Sequence, residues 1–110
     1  MATENKIVDY ICEYGMDRIF VFIFPQFSMS RMTFVSELKS KLRSYGITFI
    51  KNTQHEIITE HNAKIRIMKI NDIYGFFTPD LIFVHEYVSE DEIRNIKMGW
   101  PMSNIKIFKY

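Results

Sequence analysis

The hydrophobic pattern divides the chain into short units with clear punctuation. Ile7, Val8, Ile11 and Tyr14 recur at helical spacing, which predicts a helix over 4–14, with Thr3 as N-cap, Gly15 as stop and Cys12 on the apolar face. Residues 18–24 (Arg-Ile-Phe-Val-Phe-Ile-Phe) are apolar at successive positions, the mark of a strand covered on both faces. Pro25 ends that strand because it cannot donate to a ladder. After a short loop, Ser30 is placed to cap a helix over 31–44. Phe34, Val35, Leu38, Leu42 and Tyr45 form its inner face, and Gly46 terminates it. Residues 47–51 predict a second strand, completing a strand–helix–strand unit.

The second half continues in the same style. Residues 56–60 and 63–70 predict a hairpin turning at His61-Asn62. The alternation of Lys64 and Arg66 with Ile65 and Ile67 gives it one wet face and places it near a sheet edge. Residues 71–79, with Gly75, read as a loop. Residues 80–86 (Asp-Leu-Ile-Phe-Val-His-Glu) predict a second buried strand that ends in polar residues. Ser89 and Glu92 have the spacing of a capping box for a helix over about 90–98, and after Pro101 the segment 104–109 alternates as a last strand. Helices separating buried strands predict a single α/β domain over 1–110: a three-layer sandwich around a mostly parallel, partly antiparallel sheet.

Composition narrows the function classes. With 47% hydrophobic and 25% charged residues the chain can bury a core, which excludes disorder and linker-like roles. A net charge of +1 excludes capture of DNA or anionic lipid by bulk electrostatics. The single cysteine excludes an intramolecular disulfide framework and a Cys-rich zinc site. The longest apolar run, Ile19 to Phe24, falls far short of the roughly 18 residues a membrane span needs. Residues 1–6 lack the apolar core of a secretory signal, so the expected compartment is the cytoplasm, the host's if the protein is viral. Abundant Ile, Asn, Lys and Tyr suit an AT-rich genome, as many phages and viruses have.

In open α/β sheets ligands bind beyond the carboxyl ends of the strands. Two such ends stand out: Pro25–Ser30, and His85-Glu86. Three segments carry a family resemblance. Residues 19–33 (IFVFIFPQFSMSRMT) run from a buried strand through proline into a helix. Residues 56–67 (EIITEHNAKIRI) form the hairpin, and 74–86 (YGFFTPDLIFVHE) form the acidic strand. In this order they resemble the ATPase core of viral and phage DNA-packaging terminases, and more distantly superfamily 2 helicases. The resemblance implies a P-loop-like core. It would place phosphate-binding chemistry at Ser28, Ser30 and Arg31, and the acidic pair of ATP hydrolysis at His85 and Glu86.

The departures from that pattern point away from hydrolysis. No glycine lies between Gly15 and Gly46 and no lysine between Lys6 and Lys39, so the glycine–lysine phosphate loop is absent. Phe27 and Met29 stand where glycine would let backbone approach phosphate. His85 holds the magnesium-ligand position, and a neutral imidazole is a poor ligand for a hard cation. The expected function is therefore a non-hydrolysing binding module, with no cofactor and no metal, acting on a protein partner or on nucleic acid. The alternative is a nucleotide- or metal-dependent nucleic-acid processing enzyme.

Several residues carry two readings. His85 and Glu86 read as a metal-binding or acid–base pair, or as a strand end whose polar residues meet solvent or cap the next helix. His55 and His61 could join His85 as zinc ligands, though the spacing matches no zinc pattern, and otherwise are surface histidines. Lys51, Lys64, Arg66 and Lys69 read as a track for a nucleic-acid backbone or as charges protecting a sheet edge. Glu37, Lys39 and Asp80 resemble a nuclease triad in composition but occur on the wrong elements. Phe76, Phe77, Tyr87, Trp100 and Tyr110 fall in or beside loops, either as core or as a patch for a partner protein.

Overall fold

The computed structural model describes residues 5–73 and 77–110. The expected cap at Thr3 and the loop residues Gly75 and Phe76 lie outside the described residues. The elements run α1 (Asn5–Tyr14), β1 (Ile19–Phe24), α2 (Arg31–Ser44), β2 (Phe49–Asn52), β3 (Glu56–Thr59), β4 (Lys64–Lys69), a 3-10 turn (Ile70–Asp72), β5 (Leu81–His85), α3 (Glu90–Gly99) and β6 (Asn104–Phe108). The strands form one sheet in the order β2-β3-β4-β1-β5-β6. β4, β1, β5 and β6 are mutually parallel, while β3 pairs antiparallel with β4 on one side and with β2 on the other. This is the expected mixed α/β sheet.

Alternation along β1 sorts the core into two layers. Phe20, Phe22 and Phe24 point to one face, where they meet Ile7, Val8 and Ile11 of α1 and Phe34, Val35, Leu38 and Leu42 of α2. Val21 and Ile23 point to the other face, with Ile82 and Val84 of β5 and Ile96 of α3. A strand with apolar side chains on both faces is stable only when both are covered, and here helices cover both. The first face is packed with aromatics. Phe22 stacks on Phe83 at 4.7 Å between ring centroids, tilts against Phe34 at 4.9 Å and meets Phe108 edge-on at 5.6 Å.

Capping divides the helices. α3 begins with the full expected box: Ser89 Oγ accepts from the Glu92 N–H at 3.2 Å, and Glu92 Oε1 accepts from the Ser89 N–H at 3.1 Å. α2 does not. Ser30 holds the N-cap position but makes no side-chain cap bond. Its hydroxyl pairs instead with Ser28 Oγ at 2.9 Å, a partner two residues away that competes with the helix end. Gly46 sits just past α2 with φ +79°, the left-handed conformation in which glycine has no steric penalty. At Gly15, a Cβ would run into the Ile11 carbonyl oxygen and approach Ala63 Cβ at 3.2 Å, so glycine lets α1 close onto the β3–β4 turn.

Four expectations need correction. Residues 47–51 do not complete a neighbouring parallel unit with β1. β2 begins at Phe49, lies at the sheet edge, and is separated from β1 by β3 and β4. The hairpin strand with Lys64 and Arg66 is correspondingly interior, hydrogen-bonded to β1 on one side and β3 on the other. Cys12 is exposed, not core, because the buried stripe of α1 is only as wide as Ile7, Val8 and Ile11. Tyr14 and Tyr45 also lie outside the core; Tyr45 reaches across to donate to Asp9 Oδ1 at 2.9 Å.

Candidate binding crevice at the carboxyl edge of the sheet

β1 and β5 are adjacent and parallel, with Phe22 opposite Phe83 and Ile23 opposite Val84, so their carboxyl tips emerge side by side. From those tips the chain departs to opposite faces. After β1 it enters α2, which packs with α1; after β5 it enters α3, on the other side. Loops that diverge in this way open a crevice between neighbouring strands. Here it is a hollow of about 570 Å³, bordered by residues 25–30 and by His85, Tyr87 and Tyr110, with Asn71 and Glu92 completing its rim. Gln26 Oε1 accepts from the Asn71 N–H at 3.2 Å and ties the β1 loop to the turn that follows β4.

The rim is apolar and uncovered. Phe27 is 91% exposed, Met29 93% and Tyr87 77%. Beneath the rim, polar groups face each other more than the hollow. Ser28 Oγ and Ser30 Oγ are paired, and the Ser30 N–H also donates to Ser28 Oγ at 3.3 Å. His85 is only 2% exposed. Its Nδ1 accepts from the Tyr87 N–H at 3.2 Å, and its Nε2 faces the Tyr110 main-chain oxygen at 3.3 Å. Both ring nitrogens are thus engaged. The ring packs against Phe24 and Phe108, with centroids 5.4 Å and 5.5 Å away.

Glu86 is the next residue, in the turn that follows β5. Its N–H donates to the Phe108 carbonyl at 3.0 Å, and it does not border the hollow. The carboxylate that does, Glu92, is held in the α3 capping box. Tyr110 closes one side by packing edge-on to Phe34. Burial, and then the neighbouring Glu37 carboxylate, pushes its phenol well above the ordinary tyrosine range.

The four basic residues do not form one track. Lys51 Nζ and Arg66 Nε both bind the Glu56 carboxylate, at 2.6 Å and 2.8 Å, and the Arg66 guanidinium lies 4.0 Å from the Phe77 ring centroid. Phe77 in turn packs on Trp100, whose Nε1–H donates to the Phe77 carbonyl at 3.0 Å. Lys64 shares the Arg66 face, but Lys69, opposite Phe24, points to the other face of the sheet. There it borders a separate hollow of about 500 Å³ with Arg31 and His55.

Glu56 also sets an acid dependence. Burial works to raise its pKa, but Lys51 and Arg66 more than offset this and hold the carboxyl below its usual value. A group whose folded pKa is depressed stabilises the fold above its unfolded pKa, about 4.3 for glutamate, and that contribution is lost as pH falls through the lower folded value. Glu56→Gln should therefore lower stability by about 1 kcal/mol at neutral pH and by less at about pH 3. Urea midpoints at the two pH values measure this, and an equal loss at both would refute it.

The other candidate sites are dispersed. His55, His61 and His85 border three different hollows, and no group of three His, Cys, Asp or Glu side chains among the described residues could hold a metal ion. Asp80 Oδ2 accepts from the Ile19 N–H at 2.7 Å, at the amino end of β1, away from the crevice. Lys39 Nζ donates to the Thr53 carbonyl at 2.9 Å. Glu37, Lys39 and Asp80 therefore serve separate structural contacts. No described helix is long and apolar enough to cross a membrane.

Sequence reasoning found both tips of the crevice but missed the exposure of Phe27 and Met29, which it read only as obstacles to phosphate. It also missed the meeting of Arg31, His55 and Lys69. No family model matches the chain, and no curated protein matches it.

Proposed function

We propose that this protein is a non-hydrolysing binding module, shaped like a P-loop ATPase core and of viral or phage type, that docks a segment of a protein partner at the carboxyl-edge crevice. The observation that carries the reading is the exposure of Phe27, Met29 and Tyr87 around a concave hollow. Bare aromatic and methionine side chains at a concave site are what protein interfaces use as anchors. The loop beneath them lacks the glycines and lysine that would hold a triphosphate.

Selection of displayed peptides tests the reading. The wild-type chain should enrich a family of peptides, and Phe27→Ser with Met29→Ser should weaken their binding by more than about ten-fold without altering the melting temperature. Peptides that bind both proteins equally would refute it. The enzyme alternative has its own test. A nucleotide present at 100 times its Kd would add about 2.7 kcal/mol of stability. The melting temperature should therefore not move with millimolar ATP or GTP and Mg²⁺, and a rise that Glu86→Gln abolished would restore the enzyme reading.

A further inference from the structure

A second hollow adjoins the crevice through Asn71, which borders both. It gathers basic groups from three separate parts of the chain. Arg31 is the first residue of α2, His55 precedes β3, and Lys69 ends β4. The backbone fixes their proximity: the His55 carbonyl accepts the Ile67 N–H at 2.9 Å, two residues before Lys69, and Lys69 lies opposite Phe24 at the exit of β1. Asp72 also borders the hollow, yet neither Arg31 nor Lys69 forms a salt bridge among the described residues. Elsewhere Lys51, Arg66 and Arg94 have each found a carboxylate. α2 also carries no acidic residue in its first turn, whereas α3 has Glu90, Asp91 and Glu92 there. Positive charge at a helix start is unfavourable unless an anion answers it.

We propose that Arg31, His55 and Lys69 form a receptor for one phosphoryl group carried on the partner segment, a phosphoserine or phosphothreonine. The inference rests on the docking reading above. The guanidinium fork matches two phosphate oxygens, the lysine adds a point charge, and the imidazole supplies a further hydrogen bond. A phosphopeptide fits better than a polynucleotide for two reasons. The basic groups meet at one hollow and do not continue along the sheet, since Arg66 lies on the opposite face, where it shares the Glu56 carboxylate with Lys51. The adjoining rim, with Phe27 and Met29, offers apolar contact suited to side chains beside the modified residue.

The test uses the full chain and two probes. In an NMR titration with inorganic phosphate, at ionic strength matched by chloride, the amides of Arg31, His55 and Lys69 should shift saturably. Arg31→Ala with Lys69→Ala should weaken that binding at least about ten-fold while leaving the melting temperature unchanged. A degenerate phosphoserine peptide library should be retained over its serine counterpart, and that preference should vanish in the same double variant. Shifts that do not saturate, or that persist in the variant, overturn the receptor. Tighter, steeply salt-dependent binding of oligothymidylate than of the phosphopeptides overturns the choice of partner. The two readings fail separately. Loss of phosphate preference with peptides still selected removes only the receptor, whereas phosphate binding without peptide selection removes the docking reading and leaves an anion site.

Discussion

Phe22→Ala should cost about 3–5 kcal/mol, the range for deleting a buried phenylalanine from a packed core. Phe22 is fully buried on β1 and touches an aromatic ring from each of α2, β5 and β6: Phe34, Phe83 and Phe108. The loss therefore combines the transfer energy of the ring, its stacking on Phe83 and a cavity that three stiff neighbours cannot easily fill. A domain of ordinary stability holds only about 5–15 kcal/mol in total, so this one substitution should bring the protein near its folding threshold. Urea unfolding followed by the fluorescence of Trp100, the single tryptophan, measures it. Trp100 packs on the opposite layer, so it reports collapse of the whole sheet. Ile107→Ala, on the exposed part of β6, is the control and should stay within about 0.5 kcal/mol. A Phe22→Ala loss below about 1.5 kcal/mol would mean that the aromatic layer is not the main support of the fold.

The same two strands mark how far sequence alone reaches. β1 and β5 were legible because an uninterrupted apolar run of strand length has one stable placement, covered on both faces. α3 was legible from Ser89 and Glu92, because a capping box is a local geometry that needs no partner. The position of β2 was not legible. Its pattern is compatible with pairing to β1, and only the competition for that edge, won by the more buried Ile65 and Ile67 of β4, excludes it. The failed cap at Ser30 has a similar origin, since Ser28 offers its hydroxyl at 2.9 Å and the spacing says nothing of which bond forms. At the site, the two tips followed from the strands, while the meeting of Arg31, His55 and Lys69 depends on strand order and could not. Exposure of Phe27 and Met29 was equally hidden, because two apolar residues in a loop can as well fold inward.

His85→Ala should destabilise the protein by about 2–4 kcal/mol, whereas Glu86→Gln should change stability by less than about 0.5 kcal/mol. A histidine poised for chemistry keeps at least one ring nitrogen available to a substrate or water. His85 has both engaged, one by the Tyr87 N–H and the other by the Tyr110 main-chain oxygen, with the ring wedged between Phe24 and Phe108. Its removal leaves the Tyr87 N–H without its acceptor and opens a cavity at the base of the crevice. Among the described residues Glu86 has no comparable side-chain contact, and it joins the ladder through its backbone N–H. The pair therefore separates a structural strand end from an acid–base pair. If the two residues worked together in catalysis, both substitutions would abolish an activity and Glu86→Gln would not be silent. Because His85 positions Tyr87 and Tyr110 at the crevice, His85→Ala should also weaken peptide binding, but in step with lost stability. Phe27→Ser with Met29→Ser should weaken binding at constant stability. Plotting affinity against unfolding free energy for the two sets of variants thus distinguishes residues that build the crevice from residues that contact what enters it.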